Sequence, residues 1–457
     1  MHPLKSGGHP ADFTEEEAAR ALTGSQGTFR MTTPIHASAL RIGMFVHLNV
    51  GWMSHPFPLS SFKLTSNEQI ETIRSLGLAR LTWSPERSDV EQPVVETAGA
   101  AGAAAPAAAE EDAPKPLDAR QLARMALQAQ LEIAQRCERQ FTEACRDLRR
   151  TNDKVLTDPA AANAEAQLLA RALLDKMLVE GEPCLRVLGE MSSDRHASHA
   201  LNVTVVSLML GRQLSIPRDV LMELGVGALM HDVGKAALPD RVRLPREDFN
   251  AGEAALYRDH VAQGLILGRR MGLSADAQLV IAQHHELADG SGFPSALMLP
   301  RMSLPARIVA LVNRYDNLCN AASPAQSITP HEALSRLFAQ CRSKFDETLL
   351  SGFIKMMGIY PPGSVVQLGD ERFAMVMTVN AAHPLKPRVL VYDPSVPLEE
   401  AVHLDLEKTP QLGIRRSLKP VQLPARALDY LKPRQRISYF FDVESAPKED
   451  VAEEATA

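Results

Sequence analysis

Adjacent histidine and aspartate residues stand within a long stretch of helical sequence, residues 165–357. Successive helical patterns punctuated by glycine and proline fill this stretch and strand signals are few, which predicts an all-α domain. Two adjacent pairs, His231-Asp232 and His284-His285, lie within it. Because imidazole and carboxylate groups are preferred ligands of divalent transition metals, we expect the helices to bring the two pairs together.

The segment around the first pair predicts a metal site with a cation beside it. It reads Leu224-Gly-Val-Gly-Ala-Leu-Met-His231-Asp232-Val-Gly-Lys235. In a continuous helix, positions 224, 228, 231, 232 and 235 share one face. The His-Asp pair and the lysine are therefore expected to point the same way.

The second pair is predicted to close a short helix. Ser274 is a good N-cap for a helix that runs to His284-His285, and the sequence then breaks into Asp289-Gly-Ser-Gly-Phe-Pro294. Two metal ligands would thus lie at a helix end and face a flexible glycine loop.

Composition and charge narrow the class of protein. A chain of 457 residues is too long for one ordinary hydrophobic core and favours two or three domains. Its net charge of −6 provides no basic excess for a nucleic acid duplex or an anionic membrane, so neither is expected as a partner. Five scattered cysteines without a C-x-x-C pair, and no apolar run of about 18 residues, predict a soluble cytoplasmic protein.

Shifts in composition divide the chain into seven predicted segments. A polar start precedes Met31, so translation from either Met1 or Met31 stays open, and an Ala/Pro/Glu-rich linker follows the first domain. The predicted order is a non-native or disordered start (1–30), a small α+β regulatory domain (31–89), the linker (90–116), connecting helices (117–164), the all-α domain (165–360), a β-rich extension (361–445) and an acidic tail (446–457).

These motifs resemble the HD-GYP subset of HD-domain phosphodiesterases. The resemblance covers about residues 190–357 and rests on His231-Asp232-x-Gly-Lys235, on the His284-to-Pro294 segment, and on Ala306-Arg-Ile-Val-Ala-Leu-Val-Asn313-Arg-Tyr-Asp316. Residues 37–81 are similar to an N-terminal domain of unknown function commonly fused to such modules. The resemblance implies a mainly α fold and hydrolysis of cyclic di-GMP by a metal-bound hydroxide.

The same resemblance assigns roles to particular residues. It implies two divalent transition metal ions, iron or manganese, with Asp232 bridging them and with Asp232 and Lys235 as catalytic residues. The implied metal ligands are His199, His231, Asp232, His260, His284, His285 and Asn313. The implied substrate-binding residues are Asp289, Gly290, Gly292, Phe293 and Pro294.

The sequence also departs from the family pattern. Asn313 replaces an aspartate, which removes one negative charge although its carbonyl oxygen can still coordinate a metal. Arg195 stands where a three-metal subgroup carries glutamate, so we expect at most two metals. Leu287 and Phe293 replace an arginine and a tyrosine in the glycine loop, which predicts a weaker or different grip on the substrate.

Three functions stay open at this point. The first is a cyclic di-GMP phosphodiesterase in bacterial second-messenger signalling. The second is a degenerate module that binds the nucleotide, or a partner such as a diguanylate cyclase, without hydrolysis; the third is a phosphohydrolase of other nucleotides, against which the glycine loop argues. The helix near residues 117–152 is also a candidate for homodimer formation.

Overall fold

The computed structural model describes residues 32–50, 57, 61–78, 81–89, 119–179, 182–189, 194–246, 248–379, 383–397 and 401–444. The predicted start, linker and acidic tail lie outside the described residues. The chain divides into two compact units, one formed by Met1–Gly51 and Leu59–Ala105 and the other by Trp52–Pro58 and Pro106–Ala457.

The first unit is a small α+β structure. Its antiparallel sheet has the strand order β1-β4-β2-β3, formed by β1 (Thr33–Ile35), β2 (Phe45–His47), β3 (Ser61–Lys63) and β4 (Leu81–Ser84). The helix of this predicted α+β domain is α1 (Asn67–Ser75), capped by the Ser66 side chain. Ile70 and Ile73 form its buried face.

The second unit is mainly helical, as predicted. Its helices before the β-rich extension are α2 (Ala119–Lys154), α3 (Pro159–Met177), α4 (Arg195–Gln213), α5 (Arg218–Met230), α6 (Ala251–Arg258), α7 (His260–Met271), α8 (Ala275–Gln283), α9 (Leu304–Cys319), α10 (Pro330–Gln340) and α11 (Glu347–Met357). Helix α4 is central, because every residue from Ala200 to Gly211 is buried, and a helix that is buried on all sides belongs to the core of a larger domain.

A seven-stranded antiparallel sheet completes the second unit. The strands predicted after residue 363 are present as β6 (Val365–Leu368), β7 (Phe373–Val379) and β8 (Arg388–Val391), followed by β9 (Val402–Asp405), β10 (Ile414–Leu418), α12 (Ala425–Leu431) and β11 (Tyr439–Glu444). The order is β10-β6-β7-β5-β11, with β8 on β7 and β9 on β8.

One strand of this sheet lies where the sequence predicts only helices. Strand β5 (Glu182–Val187) precedes α4 in the chain, yet it pairs with β11 along its whole length and with β7 at Leu185. The sheet of the extension and the helices that carry the histidines therefore share one continuous body. Among the described helices, none has the length and apolar character needed to cross a bilayer.

Candidate metal centre

The turn after α5 places the first pair. Helix α5 ends at Met230, and a 3-10 turn follows over Val233–Ala237, so the prediction of one continuous helical face through residue 235 is wrong. A Cβ atom at Gly234 would collide with the carbonyl oxygen of His260, so only glycine allows the turn to pack against the start of α7. The turn still places Lys235 Nζ 2.5 Å from Asp232 Oδ2.

Three histidines at helix boundaries are oriented in the same way. His231 follows α5, His260 begins α7 and His284 follows α8, whose predicted N-cap Ser274 is present. Each ring donates from Nδ1 to a carbonyl oxygen three residues earlier, and this contact leaves Nε2 available to coordinate a metal. The acceptors are Ala228, Tyr257 and Ile281, at 2.8, 2.5 and 2.8 Å, respectively.

The Asp232 carboxylate lies between two pairs of imidazoles. Its Oδ2 atom is 3.6 Å from His199 Nε2 and 3.4 Å from His231 Nε2. Its Oδ1 atom is 3.6 Å from His260 Nε2 and 3.7 Å from His284 Nε2. Within each pair the two Nε2 atoms are 3.2 Å apart. Each carboxylate oxygen therefore faces its own pair of nitrogen donors.

The donor set fits a transition metal. Two groups have ligand atoms within 4.8 Å of one another, namely His199, His231 and Asp232, and Asp232, His260, His284 and His285. Two of the buried side-chain atoms that have no hydrogen-bond partner among the described residues belong to this centre, Asp232 Oδ1 and His285 Nε2. Leaving a buried polar atom unpaired costs about 1–3 kcal/mol, and coordination of a cation would satisfy both atoms.

The charges of the centre favour the ligating forms of its side chains. Burial disfavours the charge of Asp232, but Lys235 and then His231 stabilise the carboxylate, so its pKa lies well below the usual value. Burial, followed by the neighbouring imidazole, holds the pKa values of His284 and His285 well below their usual value. The carboxylate is thus ionised and these imidazoles are neutral.

The glycine loop folds directly onto the centre. The Phe293 ring stacks on the His285 ring with the centroids 4.4 Å apart, and the Phe293 N–H donates to the carbonyl oxygen of His285 at 3.1 Å. A Cβ atom at Gly292 would lie 2.6 Å from that same oxygen, so the loop needs glycine there. Phe293 therefore contacts a candidate metal ligand, and its role in substrate binding stays a prediction.

A buried carboxylate holds the far side of the loop. Glu286 is fully buried and accepts from the backbone N–H groups of Ser295 and Leu297 at 2.7 and 2.9 Å. Asp289 is exposed, and its carboxylate accepts from the backbone and side chain of Ser291. Gly290 has a positive φ of 76° and Pro294 follows a cis peptide bond.

Asn313 lies on α9 and is 3% exposed. Its side-chain oxygen accepts a hydrogen bond from Asn317 Nδ2 at 2.6 Å. This contact occupies one lone pair of the atom that would coordinate a metal, and coordination by Asn313 stays a prediction.

Sequence reasoning assigned no role to Asp316. Its Oδ2 atom is 2.6 Å from His199 Nδ1, and its Oδ1 atom accepts from Asn202 and Asn320 at 3.0 and 2.9 Å. Asp316 lies three residues after Asn313, on the same face of a helix. The spacing of three residues between the candidate ligand Asn313 and the carboxylate of Asp316 was the sequence signal that could have drawn attention to Asp316.

The chain matches two known domain families. Residues 32–166 match a domain of unknown function (DUF3391), and residues 183–349 match the HD domain. The HD match contains the five histidines and the one aspartate of the centre.

Several curated relatives are cyclic di-GMP phosphodiesterases. One from Pseudomonas aeruginosa is 28% identical over 371 residues, which cover 79% of this chain and 85% of the relative. One from Borreliella burgdorferi is 21% identical and covers 44% of this chain and 53% of the relative. A response regulator of this class from Xanthomonas campestris is 30% identical and covers 33% of this chain and 40% of the relative.

Among solved structures, the chain is similar to an HDG"Y"P protein from Bdellovibrio bacteriovorus. The two are 16% identical, the match covers 71% of this chain and 98% of that one, and the TM-score is 0.34.

Proposed function

This chain carries an HD domain at residues 183–349 after a DUF3391 domain at residues 32–166, and from that premise we propose that it is a metal-dependent phosphodiesterase that hydrolyses cyclic di-GMP in bacterial second-messenger signalling. One observation carries the proposal. A single ionised carboxylate, Asp232, faces two separate pairs of imidazole nitrogens with its two oxygens. This is the arrangement that a pair of cations sharing one bridging ligand requires.

The proposed ligand sets follow from this arrangement. His199, His231 and Asp232 would hold one ion, and Asp232, His260, His284 and His285 would hold the other. When bound, two divalent ions, for which we propose iron or manganese, supply a water activated as nucleophile and neutralise phosphate charge. The orphaned Asp232 Oδ1 and His285 Nε2 support the second set in particular.

Lys235 is the proposed second catalytic residue. Its side chain is buried and donates to Asp232 Oδ2 at 2.5 Å. Burial alone would lower its pKa, but the Asp232 carboxylate raises it, so the ammonium stays charged. A fixed positive charge at this place keeps Asp232 ionised and stabilises the negative charge that develops on a phosphodiester during cleavage.

The glycine loop is the proposed substrate-binding element. It comprises Asp289, Gly290, Gly292, Phe293 and Pro294. The stacking of the Phe293 ring on the His285 ring supports a position of the loop at the edge of the centre. Aromatic faces of this kind also stack on nucleobases. Asp289 is exposed, so its carboxylate is accessible to a ligand from solvent.

The surroundings of the enzyme are also part of the proposal. We place its action in the cytoplasm, which the five free cysteines support. Its first unit is proposed to regulate the enzyme or to bind a signalling protein such as a diguanylate cyclase, and a homodimer through α2 is a further proposal.

A second candidate function is binding without hydrolysis. One observation favours it: residue 313 is an asparagine, and its side-chain oxygen accepts a hydrogen bond from Asn317 Nδ2. Loss of a carboxylate from the centre removes negative charge that would hold the cations. Under this alternative the module senses cyclic di-GMP or a partner protein.

Product analysis separates the two functions. The purified full chain, loaded anaerobically with ferrous or manganous ion and verified by elemental analysis, is incubated with cyclic di-GMP. We expect the linear dinucleotide or GMP as product, and no product from His284→Ala. If the metal-loaded wild type binds cyclic di-GMP but forms neither product, hydrolysis is contradicted and binding without hydrolysis is the function that stands.

A further inference from the structure

An open cleft adjoins the His199 side of the metal centre. Helix α4, helix α9 and the segment that leads into β11 line this cleft. Its charged and metal-proximal lining residues are Arg195, His199, Lys235, Asp316 and Arg436. The helical body and the C-terminal extension therefore both contribute to the surface that a substrate at the centre would meet.

Arg195 is held at a fixed place in this cleft. It lies one helical turn before His199 on α4. Its two terminal nitrogens donate to the carbonyl oxygens of Asn320 and Ala322, each at 2.8 Å. A guanidinium has five N–H donors, so these two bonds orient the group and leave donors for a ligand.

The segment that carries Arg436 is also fixed. The N–H of Ile437 donates to Asn320 Oδ1 at 2.8 Å, and Asn202 donates to the carbonyl oxygen of Ile437 at 2.9 Å. The Arg436 side chain itself is exposed and makes no ion pair with any residue that the structure describes. Its backbone is therefore anchored to the helical body while its charge faces solvent in the cleft.

The other charges of the cleft already have partners. Lys235 is paired with Asp232, and Asp316 is paired with His199. Arg195 and Arg436 line the same cleft, and burial and then the positive charge of Arg436 lower the pKa of Arg195. Two like charges on one concave surface repel, and an anion between them would relieve that repulsion.

We propose that Arg195 and Arg436 form a subsite for the second, non-reacting phosphodiester of the cyclic dinucleotide, an inference that rests on the proposed function. A cyclic dinucleotide has two phosphodiesters, each with one negative charge, and only one of them reacts at the metal centre at a time. The guanidinium fork matches the oxygens of a phosphate. Arg436 is then a specificity residue supplied by the C-terminal extension.

The test compares Arg436→Gln with the charge-conserving Arg436→Lys and with Arg426→Gln. Arg426 is an exposed arginine on α12 that does not line the cleft. For each loaded full-length variant, kcat and KM are measured with cyclic di-GMP and with bis(p-nitrophenyl) phosphate, which has a single phosphodiester. Arg195→Gln is measured in parallel, and its thermal unfolding reports any loss of the bonds to Asn320 and Ala322.

We expect Arg436→Gln to raise KM for cyclic di-GMP about tenfold, which corresponds to loss of one charge-assisted hydrogen bond. The ratio of kcat/KM for cyclic di-GMP to that for bis(p-nitrophenyl) phosphate should fall by the same factor. Arg436→Lys should recover part of this loss, and Arg426→Gln should match the wild type. An unchanged KM in Arg436→Gln, or an equal loss on both substrates, would overturn the subsite.

A measurement of cyclic di-GMP binding tests the subsite independently of the proposed hydrolysis. If the loaded wild type does not hydrolyse cyclic di-GMP, the proposed activity fails, and calorimetric titration with cyclic di-GMP then decides the subsite alone. Affinity about tenfold weaker in Arg436→Gln supports it. Equal affinities in the two proteins, or no binding to the wild type, overturn it.

Discussion

His199 Nδ1 lies 2.6 Å from Asp316 Oδ2, whereas the Nδ1 atoms of His231, His260 and His284 contact backbone carbonyl oxygens. His199 is thus oriented by a carboxylate rather than by its own helix. A carboxylate at this place fixes the tautomer and increases the basicity of the ligating nitrogen. Asp316 is therefore a positioning residue for the His199 side of the centre.

Asp316→Asn should weaken metal binding by about 10–100-fold, because an amide does not supply the negative charge that supports the His199 ring. Isothermal titration of the metal-free protein with Mn²⁺ measures the change. Asp429→Asn, at an exposed aspartate on α12, is the matched control. Equal affinities in Asp316→Asn and the wild type would remove the positioning role.

Asn313→Asp tests whether the amide limits the enzyme. We expect higher metal affinity, because a carboxylate would add negative charge beside the cations, and a turnover little changed from the one we expect of the wild type. Asn67→Asp, at an exposed residue of α1, is the control, and steady-state kinetics with cyclic di-GMP are the measurement. Turnover that appears only in Asn313→Asp would favour the binding module.

Gly292→Ala should destabilise the loop that covers His285. The added Cβ would lie 2.6 Å from the His285 carbonyl oxygen, and forced overpacking costs about 1–3 kcal/mol. Gly413→Ala is the control, because a Cβ there meets nothing within 4 Å. Urea unfolding and cyclic di-GMP turnover measure the effect. A Gly292→Ala protein as stable and active as Gly413→Ala would show that the loop tolerates a side chain.

Lys176 gives the chain a pH-dependent stability away from the centre. Its Nζ donates to the carbonyl oxygen of Phe57 at 2.6 Å, and burial lowers its pKa from 10.5 to about 7. Between these two values the unfolded chain binds the additional proton, so stability rises with pH by up to about 1.4 kcal/mol per unit. The stability of Lys176→Met relative to the wild type should therefore fall from pH 7 to pH 9. Urea unfolding measures the free energy of unfolding of both proteins at each pH. An equal change in the two proteins from pH 7 to pH 9 would contradict the low pKa of Lys176.

Local sequence signals were sufficient to predict those features that depend on residues close together in the chain. The N-cap at Ser274, the end of α8 at the histidine pair and the strands β6 to β8 follow from capping residues and from side-chain periodicity. The pairing of β5 with β11 joins segments far apart in the chain, and a local pattern carries no information about such a partner.

The features that sequence reasoning missed depend on tertiary contacts. Helix α5 ends at Met230, and the following turn packs Gly234 against the His260 backbone, a contact that helical periodicity alone does not reveal. Asp316 and Arg436 are ordinary charged residues in sequence and gain meaning only from their neighbours in space. The candidate metal ligands could be proposed from the sequence because their types and order resemble one family, and the structure brings their side chains together.

Metal stoichiometry tests the central claim, that Asp232 joins two imidazole groups into one two-metal centre. Elemental analysis and thermal unfolding of the anaerobically purified full chain are compared with those of Asp232→Ala and of His383→Ala, a variant of an exposed histidine outside the centre. We expect two iron or manganese ions per wild-type chain and per His383→Ala chain. We also expect loss of metal and a lower Tm in Asp232→Ala, since bound ligands stabilise the fold. Unchanged metal content and Tm in Asp232→Ala would contradict it.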